Sequence, residues 1–563
     1  MERATPSPLS NALFRAKVLA LQGQRLGEDF IAKPRKFSKS DATDGKVLIE
    51  VRSKLWREDD PREWANEQGK VQNLRVAARV LNGLKIPAGE TFSFWKQIGR
   101  TTAAKGYVRG RQIQEGCLIP ARGGGICQLT NMLYEAALDA GFQIVERHPH
   151  TRRVPGAPAN KPDATVAWNH IDLRFSPRQD VVLKVELTAE ELVVSFRGEQ
   201  SAKRTPLPLV QERPSKSANS CASCGMEDCF RHEVETITKG RRAVLVDAVW
   251  PEYTAYLSEI GLADDLFMTP LDPRRFDRPT YAWPVNEAGE VYAATAQTLI
   301  RSWRSRKLAK EGPARRRAAL ESDEALSRAY AMHLTSDVVS LLVYQQFLPF
   351  LWRDGVLGGR RYEVLMTRLP MRELQCRLDV ASASSPSRKS LSDFRADDWM
   401  VDAEWKALLG AERIVTPHSE VAALFPEKTS LLPWTLPPSH EVVKGNAIAF
   451  PGPAIARKGS EVVRDVAREL NVPVVLAGSD LEAPGFWSDV EMRRQTGFWL
   501  DGVACVVQPA LMEDQPRKLL QALACGVPVV ATKECGISAR PGLVIAERGE
   551  FVDAVRDLIR ISI

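Results

Sequence analysis

Cys127 follows three glycines, Gly123, Gly124 and Gly125, and leads into the run 129–140, where Leu129, Leu133, Ala136 and Ala137 share one face of a helix. That spacing sets the thiol at a helix N-terminus, where the dipole lowers a thiol pKa. The glycines allow φ > 0 and let backbone approach a ligand closely. Downstream, His148 or His150 can serve as base and Asp163 as its orienter. Thiol, imidazole and carboxylate in combination are equipment for acyl transfer. A second chemistry in the same stretch uses Glu146, Glu90 or Asp172 as general acid on a glycan. A third reading makes Cys127 a small core residue and the histidines structural.

A separate constellation lies near the C-terminus. From Gln508 to Thr532 the chain runs as an apolar strand, an acidic loop with Glu513, a helix carrying Gln521, a Gly526-Val527-Pro528 turn and a second strand. Earlier, a strand ends at Phe450 and is followed by Gly452, Pro453, Arg457, Lys458 and Gly459, then by a helix opened by Ser460. Arg457 and Lys458 can clamp phosphates, with dipole support from that helix, or be solvated surface cations. Arg517 and Lys518 are second-rank phosphate candidates. In parallel α/β sheets, ligands bind beyond the carboxyl ends of the strands, which is where these loops belong.

Two family resemblances follow from these residues. The segment from Gln508 to Thr532 resembles the donor-binding segment of family 4-type, retaining glycosyltransferases of the glycosyltransferase-B fold. The resemblance implies that Glu513 contacts the donor sugar, Lys458 the diphosphate and the position of Gln521 the ribose. The sequence departs from that pattern at Gln521, where the family has Glu, and at Pro453, where it has Arg. An uncharged acceptor makes weaker hydrogen bonds than a carboxylate. No Asp-x-Asp stands where a metal-dependent transferase needs one, in keeping with metal-independent chemistry.

The second resemblance covers 71–200: Asn73, Asn82-Gly83, Pro87, Phe94-Trp95, Gly106-Tyr107, the glycines with Cys127-Gln128, Glu146-Arg147-His148-Pro149-His150, and Asp163 through Asp172. In these residues and this order the segment is similar to the VanW family. That likeness implies a place in cell-envelope or peptidoglycan metabolism.

The elements that must position these groups read as an α/β multidomain chain. With 563 residues, more than one core is expected. The expected divisions are an extension over 1–70, an α+β VanW-like domain over 71–200 and a linker with a Cys/His cluster over 201–240. Two Rossmann-like parallel domains, 241–440 on the acceptor side and 441–563 for the donor, complete a glycosyltransferase-B layout. Within the first, 243–247 reads as a strand ending in Asp247 and 337–352 as a long apolar helix. His333, His418 and Asp247 are possible acceptor-side contributors, without a motif that names a base.

Cys221, Cys224, Cys229 and His232 lie within twelve residues, a ligand set suited to structural zinc or, less typically, an iron–sulfur cluster. The net charge of +7 is small for this length and does not argue for nucleic acid. A local basic excess over 301–317 reads as a solvated helix face or as a contact to anionic lipid or a lipid-linked acceptor. No secretory signal or bilayer-length apolar run is evident, so a cytoplasmic protein, peripheral to the membrane at most, is expected. The leading functional expectation is sugar transfer from a nucleotide-sugar to an envelope or capsular glycan. The alternatives are a VanW-domain enzyme on peptidoglycan, by glycan cleavage or Cys-dependent acyl transfer, and a non-catalytic glycan-binding scaffold.

Overall fold

The computed structural model describes residues 7–40, 45–56, 63–114, 116–152, 161–199, 218–220, 229, 240–308, 312–392, 395–493 and 497–561. The chain divides into two compact units. One comprises Met1–Arg241 with Leu334–Ser340 and Asp354–Arg361, the other Arg242–His333 with Leu341–Arg353 and Tyr362–Ile563.

The first unit is built on an antiparallel sheet in the order Lys46–Lys54, Glu191–Gly198, Val181–Leu187, Leu84–Ile86. Alternation along Val181–Leu187 sends Val181, Leu183 and Val185 into the core. The helix Cys127–Asp139 buries Leu129, Leu133, Ala136 and Ala137 completely, as their spacing requires. The helix Trp64–Leu81 buries polar residues as well, among them Glu67, Lys70 and Asn73. Polar groups removed from water must be paired. Lys70 meets Glu67 at 2.8 Å, and Arg111 also pairs with Glu67. Asn73 donates to the carbonyls of Val108 (3.1 Å) and Gly124 (2.9 Å) and accepts from the Val108 N–H (2.9 Å).

Asn73 thereby ties down the glycine loop that delivers Cys127. Gly123 and Gly125 do have positive φ, +76° and +89°. Their neighbours, however, are protein: a Cβ on Gly124 would stand 2.0 Å from the Gly110 carbonyl oxygen, and one on Gly125 2.2 Å from the Lys70 side chain. Close backbone packing, rather than approach to a ligand, is what these glycines serve here.

The second unit contains most of one sheet and the whole of another. The larger runs Glu290–Ala293, Leu266–Thr269, Arg241–Leu245, Val338–Tyr344, Arg361–Leu365, Arg413–Thr416, Thr429–Leu431. Strand order reverses between Arg241–Leu245 and Val338–Tyr344. The stretch expected as a long helix over 337–352 is instead the strand Val338–Tyr344, a 3-10 turn at Gln345–Phe347 and the short helix Leu348–Arg353. A strand in mid-sheet is apolar on both faces and carries no period of two, so an apolar run alone cannot separate it from a buried helix. The β-branched Val338, Val339 and Val343 were the usable signal.

The smaller sheet is wholly parallel, in the order Val474–Leu476, Ala447–Phe450, Val503–Gln508, Val529–Ala531, Leu543–Ile545. Its order reverses between Ala447–Phe450 and Val503–Gln508, which creates a crevice at their carboxyl ends. Arg517, at the start of the helix Arg517–Ala524, reaches from this sheet to Glu252 on the helix Pro251–Ile260 of the larger one. The pair is bidentate, at 2.7 and 2.6 Å. The guanidinium lies 5.3 Å from the ring centres of both Trp250 and Trp434. Burial works to raise the Glu252 pKa, but the hydrogen bonds and charge of Arg517 and the Thr435 N–H hold it below its ordinary value.

The Glu252 carboxylate is fully buried, so removing its partner leaves an uncompensated charge. Arg517→Ala should destabilise this unit by about 3–5 kcal/mol. Arg517→Lys should recover little, because an ammonium cannot make the bidentate pair or stack on two indoles. Thermal melts of the full chain, followed by tryptophan fluorescence, check both outcomes.

Candidate functional site

In the second unit, the loops leaving Ala447–Phe450 and Val503–Gln508 bring Lys458 and Glu513 together. Lys458 Nζ contacts Glu513 Oε2 at 2.8 Å and the Met512 carbonyl at 3.1 Å. Gln508, completely buried at the end of its strand, directs Nε2 toward the same carboxylate oxygen at 3.4 Å. Its Oε1 is buried without a hydrogen-bond partner among the described residues. Gly452 stands beside this group. A Cβ there would meet Gln508 and Lys458 only at 3.6 Å, an ordinary contact, so protein packing does not demand glycine at 452. Gly459 differs: its φ is +88° and a Cβ would lie 2.3 Å from the Pro509 oxygen.

His418 fixes the backbone of the acidic loop. It is buried, its Nε2 donates to the Glu513 carbonyl at 3.1 Å, and burial lowers its pKa to about 4. It is therefore neutral near pH 7 and acts as a strut. Beside the Lys458–Glu513 pair opens a cavity of about 170 Å³ lined by Arg316, Asp323, Arg368, Arg457, Lys458 and Asp514 together with apolar residues including Met371 and Leu374. Burial raises the Asp514 pKa against the pull of the Lys458, Arg368, Arg316 and Arg457 charges. Burial and the neighbouring Asp247 charge raise Asp323 to about 7.

Asp247, just past the strand Arg241–Leu245, is held by Arg301 at 2.8 and 2.7 Å and by Gln346 at 2.6 Å. The basic stretch over 301–317 is thus not one solvated face. Arg301 is spent on Asp247, Arg304 reaches Glu321 at 3.3 Å, and Arg316 lines the cavity. Asp323 and Arg368 were missed from sequence because neither sits in a local motif; only the chain's return to the reversal point brings them to the cavity.

Other candidates have structural partners. Arg517 belongs to the Glu252 clamp, and Lys518 donates to the carbonyls of Pro451 (2.8 Å) and Ala477 (2.5 Å). The Gln521 side-chain carbonyl accepts from the Trp499 indole at 2.8 Å. His333 bonds the Ala329 carbonyl at 2.9 Å and stacks on Tyr292.

The first unit brings Cys127, His150 and Asp163 together. Asp163 Oδ2 accepts from the His150 backbone N–H at 2.7 Å, and its Oδ1 meets His150 Nδ1 at 2.6 Å. The imidazole is hydrogen-bonded to Cys127, whose sulfur also lies 3.7 Å from Thr165 Oγ1. Burial disfavours the imidazolium, yet the bonds to Asp163 and Cys127 raise His150 to about 10. Burial likewise disfavours the thiolate, but His150, the Val166 N–H and Thr165 outweigh it and lower the Cys127 pKa.

His148 is turned instead to Glu146, at 3.2 Å, and is about half exposed. Glu146 is gripped by Arg25 at 2.8 and 2.6 Å and lies 3.3 Å from Arg174. Asp172 accepts from Ser93 (2.6 Å), Arg174 (3.0 Å) and two backbone N–H groups. Glu90 is exposed and meets Arg35 at 3.3 Å. Burial raises the Asp172 pKa against the pull of Ser93, Arg174 and the Trp95 N–H. Of the expected metal ligands, Cys221, Cys224 and His232 lie outside the described residues, and Cys229 is half-buried. Among the described residues, no group of three or more His, Cys, Asp or Glu side chains is placed to hold a metal. Nor is any helix among them long and apolar enough to cross a membrane.

Residues 69–197 match the family model described as VanW like protein, and residues 462–560 match that described as Glycosyl transferases group 1. Two curated relatives align with the first of these regions. The Uncharacterized protein YoaR of Bacillus subtilis (strain 168) is 30% identical over 160 residues, 28% of this chain and 52% of that protein. The Vancomycin B-type resistance protein VanW of Enterococcus faecalis (strain ATCC 700802 / V583) is 30% identical over 149 residues, 26% of this chain and 54% of that protein. The chain thus spans about half the length of the curated relatives it matches. Similar solved structures include WaaG, a glycosyltransferase involved in lipopolysaccharide biosynthesis, at 12% identity and a TM-score of 0.33 over 57% of this chain and 90% of that one. The lipopolysaccharide outer core galactosyltransferase WaaB, in its apo form, aligns at 9% identity and a TM-score of 0.31 over 57% and 91%. The chain joins a VanW-like segment to a group 1 glycosyltransferase domain on paired parallel α/β sheets.

Asp323 generates a pH prediction. In the unfolded chain it ionises near its ordinary value of about 4, whereas in the fold it stays protonated to about 7. The fold therefore loses stability as pH rises between those values. Asp323→Asn should be more stable than the parent at pH 8, by up to about 4 kcal/mol from a three-unit shift, with the difference vanishing below about pH 4. Urea unfolding of both proteins across that range gives the comparison.

Proposed function

We propose that the second unit transfers a sugar from a nucleotide-sugar donor to a glycan acceptor of the cell envelope or capsule. The observation that carries this reading is the Lys458–Glu513–Gln508 group at the reversal point of the smaller sheet, beside a cavity rich in cations. Lys458 and Arg457 bind the donor diphosphate, with Arg316 and Arg368 adding positive charge from the opposite wall. Glu513 and the unpartnered Gln508 carbonyl accept hydrogen bonds from donor-sugar hydroxyls. Gln521, already paired with Trp499, keeps one lone pair for the ribose.

In the transfer, the bond between the anomeric carbon and the diphosphate breaks and its electron pair leaves with the phosphate. The acceptor hydroxyl oxygen bonds the same carbon, and its proton passes to the departing phosphate oxygen, so that configuration is retained. Fixed cations aimed at the developing charge lower the barrier without a metal. The group 1 glycosyltransferase match supports the reaction class. The envelope assignment rests on the alignment with a vancomycin resistance protein.

A thermal-shift screen of the full chain against nucleotides and nucleotide-sugars tests the reading. One donor class at about a hundred times its dissociation constant should stabilise the second unit by about 2.7 kcal/mol. Glu513→Ala and Lys458→Ala should abolish that shift. Gly452→Ala should leave the unliganded melting temperature unchanged, since the new methyl meets only ordinary contacts, yet weaken donor binding. No shift with any donor would sink the proposal.

A further inference from the structure

The helix Pro8–Ala32 lies on the first unit the wrong way round for a surface helix. Ser7 caps it, accepting from the Ser10 N–H at 3.1 Å, and Pro8 opens it. The row that meets the domain is Val18, Gln22, Arg25 and Asp29, polar but for its first member. Gln22 Nε2 donates to the Trp168 carbonyl at 2.9 Å, and Asp29 accepts from Arg174 at 2.6 Å. Arg25 grips Glu146 and donates to the His170 carbonyl at 3.2 Å. The surface turned away from the domain is apolar. Leu9, Leu13, Leu19, Leu26, Phe30 and Ile31 are each at least 63% exposed. A surface helix ordinarily turns its apolar stripe to the core and its charges to water. Here polar contacts hold the helix down and the apolar face points outward, as it does where an interaction surface is built.

We propose that this face is the seam of a dimer, in which the helices Pro8–Ala32 of two copies of the chain pack antiparallel. Leu13, Ala16, Ala20, Gly23, Gly27 and Phe30 succeed one another at steps of three and four, the repeat of a coiled-coil seam. A twofold pair must be self-complementary: if residue i meets j, then j meets i. With the axis between Leu21 and Gln22, Leu13 of one copy meets Phe30 of the other, Ala16 meets Gly27 and Ala20 meets Gly23. Large side chains close both ends of the seam, and small ones let the backbones approach between them. Lys17 and Glu28 flank the seam on one side, and this register sets each Lys17 near Glu28 of the second copy. A parallel pair would set like charges together. Lys17 is exposed, and Glu28 stays 48% exposed while accepting from Gln24 at 3.0 Å and lying 3.3 Å from Arg25. Such charges fix orientation more than affinity.

The two glycines have no purpose within one copy. A glycine inside a helix costs about 1 kcal/mol relative to alanine. At Gly69, in the helix Trp64–Leu81, the reason is internal, since a Cβ would stand 1.8 Å from the Arg109 carbonyl oxygen. At Gly23 and Gly27, nothing among the described residues lies within 4 Å of a Cβ. Close approach of a second helix supplies the missing reason. A lipid surface fits less well, because helices lying in a membrane interface carry large apolar side chains along the buried face with cations beside it. Here the middle of the face is Ala and Gly, and Glu28 borders it. Covering the six large side chains on each copy hides on the order of 1,200 Å², the lower edge of specific interfaces.

Sedimentation velocity of the full chain, from low to high micromolar concentration, should show a monomer passing to a dimer. Gly23→Leu should weaken association at least about tenfold, because it wedges a side chain where the backbones meet. Phe30→Glu should weaken it as much. Both positions are open to solvent in one copy, so neither change disturbs the fold, and the donor-induced thermal shift of the second unit should stay as it is. Orientation is read by zero-length carbodiimide coupling, which joins the Lys17 amine to the Glu28 carboxyl with loss of water. Along one helix the two positions stand about 16 Å apart, too far for a direct amide. A mixture of unlabelled and nitrogen-15-labelled chains should therefore yield a mixed-isotope Lys17–Glu28 peptide, and this arm needs no variant. Flotation with phosphatidylglycerol–phosphatidylcholine vesicles covers the rival occupant, whose capture of the chain Gly23→Leu should strengthen. A monomer throughout overturns the proposal, and vesicle capture in that case assigns the face to lipid. A dimer indifferent to both substitutions, or one without the Lys17–Glu28 link, overturns it as well.

Discussion

The cleft of the second unit depends on one buried ion pair. Two parallel sheets can face their carboxyl edges across a gap only if something holds them there without filling it. Arg517 does this from the side, reaching Glu252 and lying 5.3 Å from the ring centres of both Trp250 and Trp434. Two indoles and a bidentate carboxylate fix the guanidinium in angle as well as distance. Because Arg517 opens the helix that follows the acidic loop, the same clamp fixes where that loop begins and ends. His418 adds a second tie, from the larger sheet to the Glu513 carbonyl. The position of Glu513 relative to the cations on the opposite wall is thus set by contacts in which its own side chain takes no part.

Sequence revealed what local chemistry dictates. The strands at 447–450 and 503–508, the helix Ser460–Leu470 and the helix behind Cys127 are legible because apolar period and turn residues mark them. Cys127, His148 or His150, and Asp163 could be named as a candidate set, but choosing His150 required the bridge between His148 and Thr165. The stretch 337–352 misled because a strand buried on both faces has no polar side to reveal its period. Asp323 and Arg368 were invisible for another reason. Their significance comes from a crossing of the chain that no spacing encodes. Arg517 was legible as a cation, but its pairing with Glu252 was not, since Glu252 lies far away in sequence.

The two constellations solve a common electrostatic problem in different ways. A charged group out of bulk water must be paired to remain charged. Lys458 is paired with Glu513, and an anionic ligand entering the cleft would find a cation already fixed in place. The Cys127–His150 pair is different, because its charges arise by moving one proton between partners, and Asp163 biases where that proton rests. The first arrangement suits recognition of a charge brought by the ligand.

That difference explains how far each site tolerates change. A crevice at a strand-order reversal is produced by topology, so it persists through Gln521 and Pro453 at positions where similar transferases carry Glu and Arg. What such changes alter is the strength of ligand contacts. The thiol site has no such reserve. Its three members come from a helix start and two loop segments, and their meeting depends on the isolated bridge at His148 and Thr165 and on the anchoring of Ala164 by Thr130 and Asn131. A one-residue slip in that pairing would turn Asp163 to the opposite face and strip His150 of its orienter. The closely packed glycines before Cys127, and Asn73 that holds their loop, make sense as protection of that register.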